Sequence, residues 1–335
     1  MREHRTKVTV QQLIIQEATS IVKDVAHVYI TLLKIMVPAL LVVKGLALIG
    51  AIGWIAELLG PVMKLVGLPS SMGIVWATTL LTNIYGGMVV FFELAASETL
   101  TVAQVTVLGC MMLIAHALPV EAAIAKKAGV RWRATLTIRI LGALLFGAIL
   151  NMMYKTGGYL QQTNQLMWQP ELADLSLLEW GLEQLKTLLM VLVVISALIT
   201  LLRVLKWLHI ERLMHWLLTP LLSLLGLSKH ASNITIIGIT LGLSFGGGLL
   251  IKEAESGLLS SKDIFIAMAL LALCHSLIED TLLIMVLGAH LSGIFWGRLA
   301  FSLLLTTMLS RLLNWKEGSA VLRFGMNRSS DTPSA

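Results

Sequence analysis

The sequence predicts an all-α polytopic membrane protein: an inverted-topology tandem repeat with about six transmembrane helices and two re-entrant helical hairpins. Three observations predict it. Of 335 residues, 57% are hydrophobic and only 13% are charged, a composition outside that of soluble domains. Six apolar runs, at about 30–56, 101–125, 135–154, 184–205, 264–289 and 293–313, reach the roughly 20 residues that a spanning helix needs. Two further apolar stretches, 72–97 and 232–258, are interrupted by "TNIYGG" and by "GLSFGGG" followed by "KEAES".

Each element follows from its residues. The start, "MREHRTKVTVQQLIIQEATS", has no early apolar region and no small-residue cleavage site, so it does not read as a signal peptide. Residues 1–29 are expected to be a cytoplasmic or interfacial segment. The first repeat covers 30–154, a periplasmic connection 155–183, the second repeat 184–313, and a cytoplasmic tail 314–335. Residues 58–68 and 211–227 read as amphipathic surface helices leading into the hairpins.

Charge decides that 72–97 and 232–258 turn back instead of crossing. With re-entrant hairpins, the basic clusters at the N-terminus, at 126–133 ("KKAGVRWR"), at Arg203, Lys206 and Arg212, and after Arg311 all lie inside, as the positive-inside tendency requires. The 155–182 loop has Lys155 as its only basic residue beside Glu171, Asp174 and Glu179, and so falls outside. Both termini are then cytoplasmic. Trp132, Trp168, Trp180, Trp207, Trp216, Trp296 and Trp315 fall near the ends of spans and read as interfacial belts.

The repeat emerges on shifting the chain by 159. Pro61 then meets Pro220, Gly67 meets Gly226, His116 meets His275, Leu118 meets Leu277, Arg139 meets Arg298, and Glu121 lies over Asp280. One extra residue in the second hairpin puts Gly86 and Gly87 on Gly246 and Gly247, and Glu93 on Glu253. Chance aligns leucines in such a chain, but not proline, glycine pairs, histidine and arginine together. Three spans per copy, an odd number, invert the second copy relative to the first, a pattern found in many secondary transporters.

Unpaired backbone at membrane depth survives only inside protein or along a wet cavity, so the two glycine-rich breaks imply a cavity near the midplane. Close packing of helices is the structural alternative for the same glycines. Ionisable groups in spans are functional candidates. They are Glu93 and Glu253 near the hairpin ends, and "HALPVE" (His116, Glu121) and "HSLIED" (His275, Glu279, Asp280) in the long spans. On an ideal helix His275 and Glu279 share a face, while Asp280 lies about 140° from His275. A histidine beside carboxylates can relay protons or help hold a cation; a polar pair tying helices together is the alternative. Arg139 and Arg298 are either snorkelling anchors or counter-charges. Glu98 and Glu255 read as interfacial.

No HExxH, P-loop or dinucleotide fingerprint is present. Cys110 and Cys274 both lie in apolar runs, so no disulfide framework or four-cysteine zinc site is expected. The sequence points away from an enzyme. No cofactor and no metal site is expected, apart from a coupling ion, H+ or Na+. The expected partners are membrane lipids and a small-molecule substrate, with homo-oligomerisation open and no nucleic acid, because the net charge of +6 sits in short clusters between spans.

At "GLSFGGGLLIKEAESG" followed by "HSLIEDTLLI", the chain resembles the nucleoside-recognition, or Gate, domain family of bacterial membrane proteins. That family is similar to spore maturation proteins A and B and to the Gate segments of ferrous-iron and concentrative nucleoside transporters. The likeness covers roughly 30–154 and 184–313. It implies a transport-type core with substrate at the hairpins, on Asn83, Tyr85, Gly86 and Gly87 in one copy and Ser244, Gly246, Gly247 and Gly248 in the other. It places the coupling groups on Glu93, His116, Glu121, Glu253, His275, Glu279 and Asp280. The chain lacks the GTPase domain of ferrous-iron transport, and Ala115 stands where a partner for Cys274 would be. The expectation is a permease of the cytoplasmic membrane for a small polar solute, nucleoside-like or an anionic metabolite. A non-transporting membrane protein that binds a solute, lipid or partner is the second reading.

Overall fold

A computed structural model describes residues 10–166, 176–314 and 318–326. The protein is an all-α polytopic membrane protein, and its helices fall into two matching series. The first runs α1 (Val10–Leu48), α2 (Ala51–Leu65), the hairpin α3 (Met72–Leu81) and α4 (Ile84–Ala95), the pair α5 (Val102–Ile114) and α6 (Leu118–Lys127), then α7 (Trp132–Gly157). The second runs α8 (Leu177–Trp207), α9 (Ile210–Leu224), the hairpin α10 (Lys229–Leu241) and α11 (Leu243–Glu255), the pair α12 (Ser261–Cys274) and α13 (Leu277–Met285), then α14 (Arg298–Leu313), entered through a π-helical turn at Ser292–Gly297. A short α15 (Gly318–Gly325) packs on α14, α12 and α7.

Backbone conformation carries the same register. Left-handed residues recur as the pairs Gly50 and His209, Gly67 and Gly226, Ala117 and Ser276, and Gly129 and Gly288, each 159 apart. For alanine, serine and histidine this conformation costs energy, so surrounding structure must impose it in both copies.

The equivalent helices α1 and α8 run antiparallel. Early in α1, Glu17, Ser20 and Asp24 meet Arg203, late in α8. Midway, the Tyr29 hydroxyl donates to the Leu188 carbonyl at 3.0 Å. Late in α1, Lys44 lies 5.2 Å from the ring centre of Trp180, early in α8.

Six segments among the described residues are long and apolar enough to cross a membrane: Thr19–Leu48, Val102–Lys127, Trp132–Gly157, Leu177–Leu205, Ser261–Met285 and Ser292–Leu313. Burial separates them. The most apolar stretches of Val102–Lys127 and Ser261–Met285 are 67% and 78% buried, against 22% to 33% in the other four. The two equivalent spans therefore form the centre, and the other four present apolar faces to lipid.

Both predicted hairpins are present, with their arms packed on each other. Three spans need correction. The first predicted span, 30–56, ends early: α1 stops at Leu48, and Gly50 in the left-handed region turns the chain into α2. The expected spans 101–125 and 264–289 are not continuous helices. The first breaks over Ala115–Ala117 and the second at His275–Ser276. Trp180 is also no belt residue, being buried against Glu93. Trp132, Trp207, Trp216 and Trp296 are exposed as a belt requires, while Trp168 and Trp315 lie outside the described residues.

Candidate functional site

Each broken helix leaves carbonyls without their helical partners, and an arginine of the following span supplies donors. Arg139 Nε donates to the Ile114 carbonyl at 2.9 Å. Its counterpart Arg298 donates through Nε to the Leu273 carbonyl at 3.0 Å and through a terminal nitrogen to the His275 carbonyl at 2.8 Å. Both guanidinium groups are fully buried. They are thus inward-facing groups that hold the breaks, and the anchor alternative for them is excluded.

The hairpins brace the same breaks. Ala117 N–H donates to the Thr79 carbonyl on α3 at 3.1 Å, and Ser276 N–H reaches the Gly238 carbonyl on α10 at 3.4 Å. Each bond is the counterpart of the other. A hairpin arm also crosses toward the opposite half: α11 packs on α6, and Tyr85, at the start of α4, lies within electrostatic range of Glu279 and Asp280 on α13.

Between the breaks, the two histidines face each other. His116 Nδ1 donates to the Met112 carbonyl at 2.9 Å and His275 Nδ1 to the Leu271 carbonyl at 2.7 Å. A carbonyl only accepts, so each Nδ1 carries the hydrogen and each neutral ring presents a bare Nε2. Those two Nε2 atoms lie 3.1 Å apart, with ring centres at 5.0 Å. Glu121 Oε1 lies 3.1 Å from His116 Nε2 and 3.5 Å from His275 Nε2, and Glu121 also pairs with Arg139. Ligand atoms of His116, His275 and Asp280 lie within 4.8 Å of one another. All four side chains are buried, and Asp280 Oδ2 has no hydrogen-bond partner. The centre is buried in this conformation, and it gathers acceptors, an arrangement suited to holding a cation.

The break changes how "HSLIED" is read. Because His275 leaves the helix with φ −96° and ψ 167°, it does not share a helical face with Glu279. Asp280 is the carboxylate brought toward it, and Glu279 stands half-buried beside that group.

The other candidates separate from this centre. Glu93 accepts from Trp180 Nε1 at 2.9 Å and Gln184 Nε2 at 2.6 Å on α8, which fastens the first hairpin to that helix. Glu253 meets His230 Nε2 at 3.1 Å near the open end of the second hairpin. Asn83 caps α4 by accepting from the Gly86 N–H at 2.8 Å. A Cβ on Gly86 would strike Thr82, and one on Gly87 would strike Thr79 and come within 2.9 Å of Met112. On Gly246 it would strike Gly238 of the other arm. These glycines bring hairpin arms together. The open backbone conformation lies at Gly242, with φ 91°, and not at Gly247, which is buried within α11. Gly248 is exposed with open space around it. The side chain of Ser244 lies outside the described residues.

Sequence reasoning missed Ser276, Ala117 and Thr79, which form the breaks and their braces. The matched 159-residue register was a signal for the first two, since both follow the aligned histidines directly.

Over 296 residues the chain is 30% identical to the uncharacterized membrane protein YvoD of Bacillus subtilis (strain 168), covering 86% of this chain and 91% of that one. The chain belongs to the same family as that membrane protein. Comparison with models of protein families gives no match, and neither does comparison with solved structures. Membership and the apolar spans agree on a multi-pass membrane protein.

Proposed function

We propose that the protein is a secondary transporter of the cytoplasmic membrane, moving a small polar solute by alternating access under an H+ or Na+ gradient. The observation that carries this reading is the meeting of equivalent broken helices, each braced by a hairpin, around one buried polar centre. Discontinuous helices at a repeat interface are the usual construction of a transporter site. The antiparallel run of the equivalent helices α1 and α8 supports inverted halves, and the basic clusters at 126–133 and at Arg203, Lys206 and Arg212 support cytoplasmic termini. The resemblance to Gate-type membrane proteins points the same way and favours a nucleoside-like or anionic metabolite.

Arg139 and Arg298 beside Glu121 and Asp280 make a site of balanced charge, suited to a solute with both donors and acceptors. Burial of the centre fits an occluded state between two open ones. Uptake tests the proposal: protein in proteoliposomes, under an imposed proton or sodium gradient, should accumulate labelled solutes from a panel of nucleosides and small anions. Gradient-independent, protein-independent signals across that panel would leave the second reading, a binding protein without turnover.

A further inference from the structure

Three ligand groups converge between the halves, His116, His275 and Asp280, with ligand atoms within 4.8 Å of one another; the two Nε2 atoms lie 3.1 Å apart, and Glu121 Oε1 stands 3.1 Å and 3.5 Å from them. Bare nitrogens at 3.1 Å repel unless a cation lies between them. One proton joins only two acceptors, and it would leave Asp280 Oδ2, buried and without a partner, still unsatisfied. A single metal ion would draw His116, His275 and Asp280 together, with Glu121 beside the imidazoles.

We propose that His116, His275 and Asp280 form a binding site for one divalent transition-metal ion of the zinc type, with one imidazole from each half and Glu121 standing beside both.

The geometry fits this ion class. Zinc binds imidazole nitrogen at about 2.0–2.1 Å in a tetrahedral shell, which sets two ligating nitrogens about 3.3–3.4 Å apart. The observed separations are 3.1 Å between the nitrogens, and 3.1 Å and 3.5 Å from them to Glu121. Metal-ligating histidines almost always donate their other N–H to a carbonyl or carboxylate, which fixes the ring. Both rings do so, to Met112 and Leu271. Two imidazoles select zinc, cobalt or nickel over magnesium and calcium, which prefer oxygen.

The charge balance also sets the kind of site. Glu121 and Asp280 are matched by Arg139 and Arg298, so the ion enters as net positive charge in a buried place, offset by one unit from Glu279. Such a site exchanges its ion with a chelator, unlike a closed structural zinc site. The proposal departs from the expectation of no metal site, and it does not depend on transport.

The test uses full-length protein purified on a histidine-free tag, stripped with EDTA, dialysed and titrated with Co2+. The wild type should bind one Co2+ per chain, show the visible ligand-field bands of a four-coordinate site, and lose them to Zn2+. His116→Ala and His275→Ala should each lower affinity by more than about 100-fold, above what a lost outer-shell partner costs. His215→Ala, an exposed residue of α9, should change nothing. Asp280→Asn keeps the side-chain shape and should cost at least about tenfold, which decides the matter if the histidine variants do not fold. A folded wild type without one-to-one Co2+ binding, or Asp280→Asn with wild-type affinity, overturns the site. Because binding is read without flux, failure of the transport reading leaves this result intact.

Discussion

Arg298→Met tests how the break in the second central span is held. The methionine matches the apolar stem of arginine but removes the donors that satisfy the Leu273 and His275 carbonyls at 3.0 Å and 2.8 Å. Both acceptors stay buried in the centre, where no water replaces the donor. A hydrogen bond to a charged group is worth about 1.5–3 kcal/mol, so losing two should cost about 3–6 kcal/mol. That is a large part of the 5–15 kcal/mol typical of a folded protein. Arg298→Lys keeps the charge but offers no planar fork, and it should recover about half of the loss. Arg311→Met, at an exposed position late in α14, should stay within about 0.5 kcal/mol of wild type. Chemical unfolding in mixed micelles, followed by tryptophan fluorescence, measures all three. If Arg298→Met and Arg311→Met unfold at the same denaturant concentration, arginine does not cap the break and the reasoning is refuted.

Three further outcomes follow from the same contacts. Gly246→Ala should destabilise by about 1–3 kcal/mol through overpacking, since its Cβ would fall 2.7 Å from Gly238 N and closer still to its Cα, whereas Gly248→Ala should be neutral or slightly stabilising; equal melting temperatures would show that the hairpin arms do not meet there. Glu93→Ala leaves the Trp180 indole and the Gln184 amide without their acceptor and should cost about 1–3 kcal/mol per stranded donor, read in the same unfolding assay, with no loss of Co2+ binding because Glu93 lies away from the histidine pair. In a background without Cys110 and Cys274, Lys127→Cys and Gln165→Cys, both at exposed positions, should react with an impermeant thiol reagent from opposite faces of the membrane; labelling from one face would exclude inverted halves.

Much of the architecture was legible because membrane insertion leaves strong marks. Glycine-rich interruptions, basic clusters and the register of Pro61 with Pro220 and His116 with His275 set out the hairpins and the repeat. Pro119 marked the first copy as departing from an ideal helix, and the structure places that break over Ala115–Ala117, but the break at Ser276 was not legible. Neither position carries glycine, the apolar run continues through both, and the second copy has no proline to interrupt the helix there. Their left-handed backbone is imposed from elsewhere in the sequence, by Arg139, Arg298 and the hairpin carbonyls of Thr79 and Gly238. Helical spacing consequently paired His275 with Glu279, when the break pairs it with Glu121 and brings Asp280 near. Glu93 and Glu253 matched across the repeat for a different reason. Each ends a hairpin arm, where a carboxylate finds a partner on a neighbouring helix.

The most direct test of alternating access needs no knowledge of the solute. Ser276 is 8% exposed at the break, beside the histidine pair. Ser276→Cys, in the background lacking Cys110 and Cys274, can be treated with a charged, impermeant thiol reagent in right-side-out and in inverted vesicles. A protein that opens the centre alternately to each side predicts reaction from both faces, slower than at Gln165→Cys on its own face and stopped by detergent-free cooling that arrests the conformational exchange. Reaction from one face only, or from neither while Gln165→Cys reacts fully, would contradict the account.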